Sequence, residues 1–266
     1  VLRVWHVLVV RLCFLLFGVG GLLMSWLLFP ALRLLPGGKS ARVRRARAIV
    51  RSCFWLLARV LESTGVMRLE VTGREHLQDC GGKIVLANHP TYIDVVILQS
   101  MIPHCNCIIK AALWDGMTYG SVLRTANFIR NDEAETMIAD CAAALKAGEP
   151  LLVFPEGTRT EVGKKVKFLR GSAHIVLAAQ VPVIPVILSC TPPALSKSHR
   201  WYQVPGETFT VRVQILPPQP PETLVKTFAA GGNPDNMSAR ELTAVLENFF
   251  TQQLDAAGRE NRDVRT

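Results

Sequence analysis

The sequence has no cysteine framework. Its seven cysteines fall at 13, 53, 80, 105, 107, 141 and 190, an odd number with no recurring spacing, which speaks for free thiols in a reducing compartment. Cys105 and Cys107 form a CxC pair with no second Cys/His pair nearby, short of the four ligands structural zinc takes. No GxSxG turn is present to raise a serine nucleophile, and Gly171–Ser172–Ala173 does not supply one. No internal repeat is visible. Acidic residues are the scarcer charge, 21 against 30 Lys and Arg, for a net charge of +9. Such an excess suits nucleic acid, an anionic membrane surface or a phosphorylated substrate, and its location decides among them.

Charge is also missing from one long run. LCFLLFGVGGLLMSWLLFPAL, residues 12–32, contains none, and a stretch of that length can span a bilayer. No small-x-small site closes it before the arginines, against a cleaved signal peptide. GVGGLL (18–23) lies inside this apolar helix with no strand before it, which excludes a dinucleotide fingerprint. Gly18, Gly20, Gly21 and Pro30 permit a bend, so crossing the bilayer and dipping into one leaflet both stay open.

KSARVRRARAIVRSCFWLLARVLES (39–63) follows. Val43, Val50, Phe54, Leu57 and Leu61 recur at helical spacing, with Arg42, Arg44, Arg45, Arg47 and Arg51 among them. The cluster reads either as a solvated face or as a helix on anionic headgroups. Its position directly after the apolar run favours the membrane, and the positive-inside rule then puts the rest of the chain on the cytoplasmic side of the inner membrane. Nucleic-acid binding is not expected, because no recognised binding motif accompanies the arginines.

Two units are expected: a membrane-associated helical segment, 1–63, and a catalytic domain, 64–266. In the second, strand candidates fall at 66–72, 83–87, 106–110, 126–130, 150–154, 182–188 and 208–215, and helix candidates at 91–101, 132–147 and 170–180. Asp132 is the expected cap of the 132–147 helix and Gly148 its stop. Ser238 and Glu241 form a capping box for a C-terminal helix. PPQPPE (217–222) and GGNPDN (231–236) bracket a loose segment. Strands alternating with helices predict an α/β fold, a mostly parallel central sheet flanked by helices. Pro182 and Pro185 predict that the 182–188 strand is an edge or irregular.

NHPTYID (88–94) sits between two apolar runs. In a continuous helix His89 and Asp94 would point about 140° apart. With Pro90 at the first helical position, His89 is the cap and its ring can fold back to Asp94. A carboxylate on one ring nitrogen fixes the tautomer and leaves the other as a base. The position is the carboxyl end of a strand, where open α/β sheets place active sites. The plainer alternative is a histidine capping its own helix beside a solvated Asp94. With no serine elbow, the proton such a base removes belongs to the substrate, an alcohol or amine attacking an activated acyl group.

LLVFPEGTRT (151–160) is a second strand ending in a polar knot. Gly157 lets backbone approach a ligand closely, and Thr158 and Arg159 offer a hydroxyl and a forked cation suited to phosphate. Glu156 either anchors a cation or accepts from a substrate hydroxyl. Taken alone, the stretch also reads as a tight turn with a surface arginine. Lys110, Arg130, Lys164, Lys165, Lys167 and Arg170 are weaker candidates, each as readily a solvated charge.

Four blocks in order over about residues 83–187 resemble the lysophospholipid acyltransferase superfamily: NHPTYID its NHxxxxD block, NFIR (127–130) the end of its GxxFxxR block, FPEGTRT its FPEGTRS/T block, and VPVIPV (181–186) its last proline-containing block. One departure is Thr125, where the family has glycine three residues before Phe128, and it leaves the acceptor open. The resemblance implies His89 as general base and Asp94 as its orienting partner. It further implies that Glu156, Gly157, Thr158 and Arg159 bind the acceptor's glycerol and phosphate, assisted by Arg130. It implies no metal and no cofactor, acyl-CoA or acyl carrier protein as co-substrate, a lysophospholipid-type acceptor, and an N-terminal helical pair resting on membrane lipid.

Overall fold

The computed structural model describes residues 2–161, 164–197, 206–220, 222–223 and 237–263. The seven expected strands are all present: β1 (Met67–Thr72), β2 (Ile84–Ala87), β3 (Asn106–Lys110), β4 (Ile129–Asn131), β5 (Leu151–Val153), β6 (Val183–Thr191) and β7 (Phe209–Ile215). They form one sheet in the order β1-β7-β6-β2-β5-β3-β4. Every pairing is parallel except β6 with β7.

Both faces of the sheet are covered, which explains the unbroken apolar runs. Val85 and Ala87 of β2 point into one core, and Ile84 and Leu86 into the other. The first core receives α1 (Leu2–Leu23), α2 (Gly38–Ser63) and α3 (Asp94–Met101), for example through Val10, Leu61 and Ile97. A short helix, α4 (Gly120–Thr125), packs beside α2 in a third cluster around Phe29, Val50 and Phe128. The opposite face carries α5 (Ala134–Lys146), α6 (Arg170–Ala179) and α7 (Ala239–Asp263), through residues such as Cys141, Val176 and Phe250. The Ser238–Glu241 capping box forms, with reciprocal bonds between each side chain and the other's backbone N–H. GGNPDN and residues 198–205, between β6 and β7, lie outside the described residues.

Four expectations need correcting. The 182–188 strand is not an edge but interior, between β7 and β2; of the two expectations the irregular one holds, since its pairing on the β7 side is broken at Pro185. Pro185 is tolerated there because the β7 ladder begins one residue later, at Val186–Ile215, and only the isolated Val183–Gln219 bridge precedes it. Asp132 does not cap α5; Glu133 occupies the cap without a side-chain bond, and Asp132 pairs with Arg130 instead. α3 begins at Asp94 rather than at Pro90, for reasons given below. Finally, Arg47 does not face lipid. It is 4% exposed. Its guanidinium donates to the carbonyls of Ala126, His104 and Asn127 and pairs with Glu149 at 2.9 Å. Arg51 likewise donates to the Ser100 carbonyl. These two arginines of the basic cluster therefore fasten α2 to the domain, while Arg44 stays exposed.

α1 continues through a π-turn at Met24–Leu28 into a final turn at Phe29–Ala31. Among the described residues, Arg3–Leu34 is the helix long and apolar enough to cross a membrane. Yet it lies along the domain for its whole length. Trp5 donates its indole N–H to the Thr64 carbonyl near one end, and Ser25 donates to the Thr118 carbonyl near the other. Its outward face is largely apolar and uncovered, with Leu8, Leu12, Leu15, Trp26 and Leu27 all exposed and the charged Arg11 exposed among them.

Candidate active site

β2, β5 and β6 are neighbours and parallel, so their carboxyl ends deliver NHPTYID, FPEGTRT and residues 188–191 to one place. The loop after β2 is fixed first. Asn88 is buried, and its side-chain amide makes a two-way bond with Leu188 of β6, donating to its carbonyl at 2.8 Å and accepting from its N–H at 2.7 Å. Strand pairing is thereby prolonged one residue past Ala87 by a side chain.

His89 is then held by four contacts. Its backbone N–H donates to Glu156 Oε1 at 2.7 Å, and its carbonyl accepts from the Thr160 N–H at 3.1 Å. Its ring stacks on Phe154 with centroids 4.3 Å apart. Nδ1 lies 2.8 Å from Asp94 Oδ2. The ring is 16% exposed and Asp94 is fully buried. An ionised carboxylate only accepts, so Nδ1 carries the proton and Nε2 is left as the base.

Asp94 is saturated by Thr91. Oδ2 also accepts the Thr91 N–H at 2.7 Å, and Oδ1 accepts the Thr91 hydroxyl at 2.5 Å. These bonds, with Tyr92 N–H donating to the Leu195 carbonyl, hold residues 90–93 in a non-helical loop. A helix starting at Pro90 would forfeit them, which is why α3 starts at Asp94. The imidazole reaches the carboxylate from a loop, not from a helix cap. Thr91 was not singled out by sequence, although a hydroxyl three residues before a carboxylate was its signal.

Glu156 is 5% exposed. Burial, with a smaller contribution from Asp94, pushes its carboxyl up to about 7, against the opposing bonds from the His89 and Thr160 N–H groups. One oxygen is committed to the His89 backbone, so it ties the two motifs together rather than anchoring a cation. Oε2 has no hydrogen-bond partner among the described residues. Gly157 adopts φ +65°, a conformation that favours glycine, while the Cβ of any other residue would meet only the movable end of the exposed Leu169 side chain. Thr158 is exposed. Arg159 lays its guanidinium 3.3 Å from the centroid of the Tyr92 ring, and its buried Nη1 has no partner among the described residues. Glu156, Arg159 and the His89–Asp94 pair are thus brought together.

Arg130 is not brought into this group. It sits on β4, two strands beyond β5, and pairs with Asp115 at 2.8 Å and Asp132 at 3.2 Å. Thr125, the departure from the family pattern, is the buried last residue of α4, a helical position that accepts a side chain. Lys164 pairs with Glu161, while Lys110, Lys165, Lys167 and Arg170 are exposed. Cys105, just before β3, and Cys107, within it, are buried, and burial pushes the Cys107 thiol up to about 11.

An apolar cavity of about 360 Å³ begins at Tyr92 and Ile93, inside the loop that carries the base. α1 contributes Phe14 and Phe17 to it, α2 Phe54 and Leu57, and the 111–114 turn Leu113. No motif marks this cavity, because it exists only once α1 and α2 dock on the domain.

A family profile described as Acyltransferase matches residues 68–189. The 1-acyl-sn-glycerol-3-phosphate acyltransferase alpha of Mus musculus is 32% identical over 166 residues, 59% of this chain and 57% of that protein. A 1-acyl-sn-glycerol-3-phosphate acyltransferase of Helicobacter pylori is 31% identical over 144 residues, 52% of this chain and 56% of that one. The chain therefore spans less than two thirds of the length of these curated relatives. The crystal structure of the 1-acyl-sn-glycerophosphate acyltransferase of Thermotoga maritima superposes with a TM-score of 0.69 at 21% identity, covering 96% of this chain and 97% of that one, which establishes the shared fold.

Proposed function

We propose that the chain is a member of the lysophospholipid acyltransferase superfamily and that it moves an acyl group from a thioester, acyl-CoA or acyl carrier protein, to the free hydroxyl of a lysophospholipid-type acceptor such as 1-acylglycerol-3-phosphate. The observation that carries this reading is the His89–Asp94 pair, 2.8 Å apart, at the head of an apolar cavity whose Tyr92 also carries the Arg159 guanidinium, with Nη1 unpartnered among the described residues.

Nε2 of His89 removes the proton of the acceptor hydroxyl as its oxygen attacks the thioester carbonyl. The imidazolium formed is stabilised by Asp94. Collapse of the tetrahedral intermediate breaks the carbon–sulfur bond, and the thiol leaves with the proton returned from Nε2. Arg159 holds the acceptor phosphate through Nη1, its plane already set by Tyr92. Glu156 Oε2, on a carboxyl that titrates near neutrality, is placed to exchange a hydrogen bond with the glycerol. The cavity takes the acyl chain.

The helical pair rests on the bilayer from the cytoplasmic side of the inner membrane. Because both ends of α1 are bonded to the domain, crossing the bilayer would drag the domain's polar surface into hydrocarbon. Insertion into one leaflet instead buries the exposed face of Leu8, Leu12, Leu15, Trp26 and Leu27.

The test is thiol release from acyl-CoA, and separately from acyl carrier protein, with 1-acylglycerol-3-phosphate in mixed micelles. His89→Ala should lose about 10²–10⁴ in turnover while vesicle flotation persists. Equal turnover by the variant would remove the proposal.

A further inference from the structure

The catalytic loop has a second space on its other side. A groove of about 180 Å³ runs between Asn88, Pro90 and Thr91 of that loop and Leu188 and Cys190 of β6, with Ala194 closing it. It shares no lining residue with the apolar cavity. The bond from the Tyr92 N–H to the Leu195 carbonyl is the seam between the two. Tyr92 and Leu195 line the cavity, and Thr91 and Ala194, the residues just before them, line the groove. His89 belongs to the same loop, and its carbonyl is bonded by Thr160, another residue of the groove wall. Two features suit the groove to a ligand. First, β6 outruns β2. Their ladder ends at Ala87–Val186, and Asn88 prolongs it by a side chain as far as Leu188. Every second residue of a strand turns its main chain to the same side, so the N–H and carbonyl of Cys190 face this way with no strand beside them. Second, the outer end is basic. Lys164 lines it, 69% exposed, with its ammonium 2.6 Å from Glu161. The Glu161 carboxyl is held below its usual value by Lys164 and, to a lesser degree, by Lys197, which places both lysines at this rim. Val166 and Phe168 point into the core away from the helical pair, which leaves Lys165 and Lys167 outward on the same stretch.

We propose that this groove holds the 4′-phosphopantetheine arm common to CoA and acyl carrier protein, with its phosphate at Lys164 and Lys197, its amides along the open edge at Cys190 and its sulfur at the catalytic loop. This rests on the proposed acyl transfer and on the cavity as the place of the acyl chain. A thioester joins a chain to an arm, and here the two spaces meet along one seam in the loop that carries the base. The amides of the arm are donors and acceptors like those of a peptide, which a bare strand edge pairs with. Val166 and Leu254, of the core on the far side of the sheet from the helical pair, also border the groove. The donor therefore arrives through water on one side of the loop, and the acceptor from lipid on the other.

The experiment compares three donors with one acyl chain and one acceptor: acyl-CoA, acyl carrier protein, and the S-acyl thioester of N-acetylcysteamine, which keeps one amide and has no phosphate. Lys164→Ala and Lys197→Ala should each raise the donor KM up to about fivefold for the two phosphorylated donors, and the double variant more than either. Their kcat/KM relative to the cysteamine thioester falls by the same factor, and the acceptor KM stays. Glu161→Gln, which frees Lys164 from its ion pair, should lower the donor KM, whereas a purely structural pair would suffer from the loss of either partner. Pro193→Trp, at an exposed position of the groove wall, should raise the donor KM for both phosphorylated donors. A loss confined to one of these two donors overturns the site, because the effect then belongs to the carrier surface or to the adenosine of CoA. Unchanged donor KM in the double lysine variant and in Pro193→Trp also overturns it and leaves the acyl transfer standing. Absence of thiol release by the wild type from all three donors overturns the transfer itself.

Discussion

Asp94→Asn separates what the carboxylate orients from what its charge contributes. In the wild type Oδ2 faces two donors, the Thr91 N–H at 2.7 Å and the His89 Nδ1–H at 2.8 Å, and Oδ1 faces the Thr91 hydroxyl. A carboxamide has one acceptor end. The Thr91 N–H is backbone and cannot turn, so the amide oxygen must take the Oδ2 position and the NH₂ the Oδ1 position, where the hydroxyl rotates to accept. Nδ1 then keeps its proton and Nε2 stays a base. Only the attraction between anion and imidazolium is lost. Unit charges about 4 Å apart attract by about 4 kcal/mol at an effective dielectric of 20, so the barrier rises by at most that, about 10³ in rate. Asp94→Ala loses the tautomer and ring orientation too, and should fall to the level of His89→Ala. The double variant should fall no further, because the pair acts as a unit. The assay is kcat for thiol release, with thermal melts to confirm folding. Asparagine at wild-type rate, or as low as alanine, would refute the reasoning.

Glu156→Gln should stabilise the protein in a pH-dependent way. The glutamine carbonyl still accepts the His89 N–H, but the cost of ionising a carboxyl raised from 4.5 to about 7 disappears. The wild type loses stability as pH rises from 4.5 through about 7, so the advantage of glutamine grows over that window and is flat above it, at up to about 3 kcal/mol; an advantage equal at pH 4 and pH 8 would contradict the burial argument. Tyr92→Leu should raise the acceptor KM about five- to thirtyfold by freeing the Arg159 guanidinium, whereas Tyr92→Phe keeps the ring face and the wild-type KM. Arg47→Ala, which leaves three carbonyls unanswered and Glu149 with only its bond from the Asn106 side chain, should cost about 3–5 kcal/mol in denaturant melts, while Arg44→Ala should cost almost nothing.

The central strands were legible because a run such as Ile84–Ala87, apolar on both faces, has few other uses than an interior parallel strand, and β1 and β7 because their apolar residues alternate. The capping box at Ser238 was legible because both partners are three residues apart. What sequence could not show was governed by distant bonds. Asn88 meets Leu188 a hundred positions away. Arg47 lies in a basic cluster by count, and only the docking of α2 reveals that carbonyls at 104, 126 and 127 are waiting for it. Pro185 argued for an edge or an irregular strand, and the second holds: the strand is interior, but its continuous pairing with β7 begins only at Val186. Pro90 argued for a helix start, and lost to three hydrogen bonds that a loop makes and a helix cannot.

The two motifs are one structural unit, and the reason lies in strand order. β2 and β5 are adjacent and parallel, so residues just past their ends are within hydrogen-bond reach whatever their side chains. The chain uses that reach twice, His89 N–H to Glu156 and Thr160 N–H to the His89 carbonyl. The backbone of the base is thus clamped by the same loop that presents Arg159. Tyr92 completes the arrangement, with its ring face under Arg159 and the same side chain in the wall of the apolar cavity. On the proposed reading, phosphate, reacting hydroxyl and acyl chain are positioned by one loop of seven residues, Asn88 to Asp94, and a shift of that loop moves all three together. This is why a buried carboxyl is retained at Glu156 in spite of its ionisation cost: a clamp on a backbone N–H stiffens the loop, and stiffness of the base is what a positioned proton transfer requires.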